Sequence, residues 1–110
     1  MFRQQNNPTS DALKFDTVKA DIAGGGQLID VRSRAEYDSA HIDGAVNLDV
    51  QAIQAGSMPS VDKKQKVYVY CRSGSRSGQA AVMLKNAGFQ NIVDLGGMSK
   101  VQSIGGTVTN

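Results

Sequence analysis

The chain of 110 residues holds one cysteine, one histidine, two prolines and no tryptophan. A lone cysteine excludes an internal disulfide, and with His41 far along the chain from it no Cys/His set stands at zinc-ligand spacing, so neither a metal nor another cofactor is expected. No apolar run approaches the roughly 20 residues of a membrane-spanning helix, and Met1 to Pro8 lacks the apolar core of a signal peptide. The excess of charge is small, +2 from 12 basic and 10 acidic side chains, and the basic residues are scattered where phosphate-backbone binding needs a stripe. Nucleic acid and membrane are therefore not expected partners. A cytoplasmic protein is expected from the chain as given, or a periplasmic or secreted one if an export signal has been trimmed ahead of Met1.

What is present suits one soluble domain. Apolar residues make up 40% and charged residues 20%, an ordinary globular balance, and a chain of this length supports one core and one site. Residues 1–12 are polar, contain Pro8 and lack periodicity, so they are expected to be a flexible lead-in. The domain is placed at 13–104, with a glycine-rich tail, 105–110, expected to fray. Within the domain, strand and helix signals alternate. Asp16 is expected to cap a helix carrying Val18, Ile22 and Ala23, which Gly24-Gly25-Gly26 ends. Gln27–Val31 predicts a strand, and Ser33-Arg34-Ala35-Glu36 has the capping-box pattern of a helix running to about Ala40. Ala45–Leu48 predicts a strand, Val50–Ala55 a weak helix, and Lys63–Lys66 a solvated lead into a central apolar strand. Ala80, Ala81, Leu84 and Ala87 then fall on one helical face that stops at Gly88, and Phe89–Asp94 predicts the last strand. Such alternation implies an α/β sandwich, helices on both sides of a mostly parallel sheet, with ligands expected where strand C-termini meet helix N-termini.

Cys71 stands at such a junction. It follows the apolar run Val67-Tyr68-Val69-Tyr70 and precedes Arg72-Ser73-Gly74-Ser75-Arg76-Ser77, which opens the next helix. A strand, a tight glycine-containing turn and a helix N-terminus aim successive N–H groups into one concavity, and the helix dipole and two arginines add positive potential. A thiol placed there is expected to titrate below its ordinary value of about 8.5 and to act as a nucleophile.

Three segments together resemble the single-domain rhodaneses: Leu28-Ile29-Asp30-Val31-Arg32; Glu36-Tyr37 followed by His41-Ile42-Asp43-Gly44-Ala45-Val46-Asn47; and Val69 to Ser77. The likeness spans about Phe15 to Gly97 and is strongest to small bacterial stress-associated members over Val69–Leu84. It implies a rhodanese-like three-layer α/β sandwich and a sulfurtransferase. Cys71 would attack the outer sulfur of a small anionic donor such as thiosulfate, become a persulfide, and hand that sulfur to cyanide or a thiol, including a protein thiol. By the same resemblance the N–H groups from Arg72 through Ser77 would hold the outer sulfur, and Arg72 and Arg76 would orient the donor. A monomer is expected. With no second cysteine to discharge the persulfide, the acceptor comes from outside the chain. The related cysteine phosphatases and arsenate reductases place five residues between cysteine and arginine; here Cys71 and Arg76 are separated by four, a smaller cradle suited to one sulfur atom. Alternatives are a sulfur relay fed by a partner protein, a non-enzymatic module that binds sulfane sulfur, and a phosphatase or arsenate reductase. Many rhodaneses carry a tryptophan shortly after the Gly-Gly of the last strand. This chain has Gly96-Gly97-Met98-Ser99-Lys100 there, a departure that bears on acceptor preference and not on catalysis.

Other polar residues carry a structural expectation. Asp30 and Arg32 are expected to pair with each other, with Glu36 or with backbone groups. His41 belongs, in the resembling segment, to a structural turn and is not expected to serve Cys71. Asp38, Asp43 and Asp49 are expected at the surface, and of Tyr68 and Tyr70 at least one is expected to be partly buried.

Overall fold

The computed structural model describes residues 13–110; the expected lead-in, 1–12, lies outside them. Apolar strand residues build a four-stranded, wholly parallel sheet from β1 (Gln27–Asp30), β3 (Val46–Asn47), β4 (Lys66–Cys71) and β5 (Asn91–Gly97), in the order β3-β1-β4-β5. The helices are α1 (Phe15–Ala23), α2 (Arg34–Ser39), α3 (Val50–Gln54), α4 (Ser75–Asn86) and α5 (Met98–Ser103). The expected α/β sandwich with a parallel sheet is thus the architecture observed.

The period of two along β4 sorts its side chains between two cores. Val67, Val69 and Cys71 join Val50 and Ile53 of α3 and Ala80, Ala81 and Leu84 of α4. Tyr68 and Tyr70 join Phe15 and Val18 of α1 and Val101 of α5 on the opposite face. Both tyrosines are almost wholly enclosed, 2% and 0% exposed, which is deeper than expected. Their hydroxyls make this possible, because each keeps a polar partner: Tyr68 donates to Asp21, and Tyr70 donates to Asp30 while accepting from the Ile42 N–H.

Local signals account for most helix ends. Ser33 and Glu36 form the predicted capping box at α2. Gly88 follows α4 as predicted, and the bonds Gly88 N–H to Lys85 O and Phe89 N–H to Leu84 O complete a Schellman motif. Three expectations need correction. Asp16 does not cap α1: Lys14 is the N-cap, and the Phe15 N–H is held by the Ile104 carbonyl, leaving Asp16 in the first turn, where its charge suits the helix dipole. The last strand runs Asn91–Gly97, later than Phe89–Asp94, because Phe89 is occupied in the helix cap and the α3–α4 core. The tail after Ile104 does not fray. Val108–Thr109 forms β6, antiparallel to β2 (His41–Ile42), and Asp43 N–H donates to Thr107 O at 2.7 Å. That pairing satisfies backbone groups which sequence patterning alone left without partners.

Candidate active site

β4 ends at Cys71 and α4 begins at Ser75, so only Arg72, Ser73 and Gly74 turn the chain. Gly74, the N-cap of α4, has φ +102°, a conformation that strains residues with a Cβ. The turn aims Gly74 N–H at Cys71 Sγ, 2.9 Å away. Ser77, one turn into the helix, brings its hydroxyl to 3.5 Å from the sulfur and donates to the Gly74 carbonyl at 3.1 Å. Cys71 and Ser77 are both fully buried, whereas Arg72, Ser73 and Ser75 are exposed on the rim.

Two opposed effects act on the thiol. Burial pushes its pKa up, and this is the largest single influence; the Ser77 hydroxyl and the N–H groups of Ser77, Gly74 and Ser73 together outweigh it, so the thiol titrates below its ordinary value. Linkage fixes the sign of the consequence. A depressed folded-state pKa adds stability above the unfolded value and forfeits it as pH falls through the folded one, so this contribution grows with rising pH. Titration of the thiolate absorbance is expected to give a midpoint below that of an unperturbed thiol, raised in Ser77→Ala; an unmoved midpoint would show that the hydroxyl does not stabilise the thiolate.

β5 supplies the floor beneath the turn. A register shift between Val69 and Tyr70 in the β4–β5 pairing sets Tyr70 opposite Gly96 and Cys71 opposite Gly97, and Ser73 bridges Gly97. A Cβ on Gly97 would stand 2.9 Å from the Arg72 carbonyl oxygen and 3.3 Å from Ser73 Cα, both backbone atoms. Gly97→Ala must therefore displace the turn. We expect it to cost about 1–3 kcal/mol in a denaturant melt and to slow reaction at Cys71 roughly a hundredfold. A wild-type rate of reaction in this variant would mean that the turn tolerates movement. Gly97 was not among the residues expected at the site, because its neighbour in space is 25 or so positions away along the chain.

The arginines separate. No hydrogen bond or ion pair holds the Arg72 side chain among the described residues. Arg76, expected to orient the donor, is clamped by Glu36, with Nη1–Oε1 at 2.7 Å and Nη2–Oε2 at 3.1 Å. Glu36, one of the partners the sequence suggests for Arg32, does not pair with it. Arg32 is satisfied by Asp30 and by the Ala40 carbonyl, so the Glu36 carboxylate is left for the loop. The Arg76 bond, with lesser help from Ser33, holds the Glu36 carboxyl down at about 2. Its stabilising contribution is fully present above pH 4.5 and is lost as pH falls toward about 2.

His41 stacks on Tyr37, with ring centroids 3.8 Å apart, and its Nδ1 lies 2.7 Å from the Tyr37 carbonyl. No hydrogen bond among the described residues links it to Cys71. Among the described residues no cluster of three or more His, Cys, Asp or Glu could hold a metal, and no helix is long and apolar enough to cross a membrane. Two clefts, of about 350 and 290 Å³, lie elsewhere: one between α1 and the β2–β6 ribbon, the other beside β3.

Known proteins resemble this chain in sequence and fold. The rhodanese-like domain family matches residues 14–104. The thiosulfate sulfurtransferase PspE of Escherichia coli K12 is 34% identical over 74 residues, which cover 66% of this chain and 71% of that protein. The adenylyltransferase and sulfurtransferase uba4 of Ogataea parapolymorpha is also 34% identical over 74 residues, but these are only 19% of its length. Among solved structures, a rhodanese with anions from E. coli superposes with a TM-score of 0.64 at 31% identity, over 77% of this chain and 98% of that one. A parallel sheet whose central strand delivers a cysteine into a tight helix-capping turn, matched by a family that spans nearly all the described residues, means that this chain belongs to the rhodanese family.

Proposed function

We propose that this protein is a sulfurtransferase that carries sulfane sulfur as a persulfide on Cys71, loaded from a small anionic donor such as thiosulfate and discharged to cyanide or a thiol. The observation that carries this reading is the buried Cys71 sulfur facing the Gly74 N–H and the Ser77 hydroxyl at a helix N-terminus. The Cys71 thiolate attacks the outer sulfur of thiosulfate, a new S–S bond forms, and the old one breaks with its electron pair leaving on sulfite. Cyanide or a thiolate then takes the outer sulfur and returns the thiolate. The donors that stabilise the thiolate also suit the persulfide anion, which retains one negative charge in nearly the same place. Arg72, exposed on the rim, attracts the anionic donor. Ser73, Ser75 and the first turn of α4 complete the mouth of the cradle.

A partner-fed relay is a second reading. It is favoured by the complete burial of Cys71 and by the absence of any other cysteine that could receive the sulfur. In uba4 the similar region is a fraction of a longer sulfurtransferase, so such a domain also works as one part of a larger protein. Intact-protein mass spectrometry without reductant, before and after thiosulfate, tests the main reading. Gain of one sulfur atom, reversed by cyanide, is the expected result. A reduced, reactive thiol that gains nothing overturns thiosulfate as donor and moves the relay ahead.

A further inference from the structure

The two loop arginines are in opposite electrostatic states. Arg72 is exposed and has no acidic partner among the described residues, whereas Arg76 is engaged by both oxygens of Glu36. The clamp is itself held in place. Glu36 Oε1 also accepts from the Ser33 N–H and the Ser33 hydroxyl, each at 3.1 Å, so the carboxylate is fixed by the N-terminus of α2 before it meets the arginine. Arg76 stands one residue before Ser77, which touches the sulfur, and the Arg76 guanidinium interacts electrostatically with Cys71. A carboxylate that close cancels most of the attraction Arg76 would exert on an incoming anion. Nearby, Asp30 and Arg32 neutralise each other. Among the described residues the mouth of the site therefore offers one uncompensated cation, Arg72, where its sequence shows two.

Resting on the persulfide reading above, we infer that Glu36 is a positioning residue that sets donor charge: by holding Arg76 it biases Cys71 toward singly charged sulfane donors, such as thiosulfonates and organic persulfides, and away from the thiosulfate dianion. Glu36 touches no reacting atom and acts through Arg76. A dianion gains twice as much as a monoanion from each added positive charge, so the ratio of kcat/KM for the two donor classes reports the charge at the mouth directly.

Thiosulfate and methanethiosulfonate form a matched pair. Each presents a terminal sulfane sulfur on a sulfonyl group, and loading leaves sulfite from one and methanesulfinate from the other. With cyanide as acceptor, Glu36→Gln is expected to raise the thiosulfate-to-methanethiosulfonate ratio about fivefold, chiefly through a lower KM for thiosulfate, because the amide oxygen still serves Ser33 but no longer neutralises Arg76. Arg76→Gln, which leaves the Glu36 charge unopposed, is expected to lower the ratio by a similar factor. Glu36→Gln combined with Arg76→Gln restores the wild-type charge count and should restore the wild-type ratio. A purely structural Glu36 would instead lower kcat and affect both donors alike. That result, or a ratio that ignores charge across the three variants, overturns the inference while sulfur loading of the wild type stands. If intact mass shows that the wild type takes sulfur from neither donor, the persulfide function falls and the inference falls with it. Should Glu36→Gln fail to fold, the shift in Arg76→Gln decides the question alone.

Discussion

Cys71→Ser is expected to gain no sulfur from thiosulfate and to lose at least about a thousandfold in turnover. The serine hydroxyl is nearly isosteric and can still accept from Gly74 N–H and meet the Ser77 hydroxyl, so the turn retains its bonds. Its chemistry is what fails. An alkoxide is out of reach where a thiolate is already favoured, and oxygen cannot hold a transferable sulfur as a persulfide does. The same variant should unfold within about 1 kcal/mol of the wild type, since shape and hydrogen bonding are conserved. Steady-state thiocyanate formation beside a denaturant melt measures both quantities. Substantial turnover without Cys71 would remove the persulfide mechanism altogether.

Asp30→Ala is expected to cost about 3–5 kcal/mol, the effect of stripping one partner from a buried ion pair. Asp30 is 0% and Arg32 is 7% exposed. The carboxylate accepts from Arg32 Nε at 3.0 Å, from Arg32 Nη2 at 2.8 Å, from the Arg32 N–H at 2.9 Å and from the Tyr70 hydroxyl at 2.9 Å. Loss of Asp30 leaves the guanidinium charge buried and the Tyr70 hydroxyl without its acceptor. Because domains of this size are stable by only about 5–15 kcal/mol, the midpoint of a chemical melt should fall by a large fraction. Replacing the pair together, Asp30→Leu with Arg32→Met, should recover most of that loss, since two uncharged side chains leave no isolated charge. A loss below about 1 kcal/mol in Asp30→Ala would show that the pair is dispensable. Activity is expected to follow, because Tyr70 immediately precedes Cys71 and is held from the side by Asp30.

The elements with local causes were legible in the sequence. The capping box at Ser33 and Glu36, the stop at Gly88, and the apolar run into Cys71 each depend on residues within a few positions of one another. The Asp30–Arg32 pair was legible for the same reason, being two residues apart at a strand end. What was misjudged depended on distant partners. Asp16 loses the cap of α1 to an arrangement completed by Ile104, and the tail is held at Gly105 and Gly106 by carbonyls of α5 and at Val108–Thr109 by the edge that His41–Ile42 offers.

The sequence by itself determined the alternation of strands and helices, the placing of the one cysteine at a strand-to-helix turn, and the spacing of four residues between Cys71 and Arg76, because these are set by the order of residues, short-range periodicity and backbone preference. Only the tertiary structure decided that Gly97 closes against the turn, and that Arg76 is bound by Glu36, 40 residues away, while the Arg72 side chain has no ion-pair partner among the described residues. Charge on a side chain is written in the sequence; whether a donor feels that charge depends on what the fold sets beside it, since a carboxylate at 2.7 Å cancels a field that no local pattern reveals.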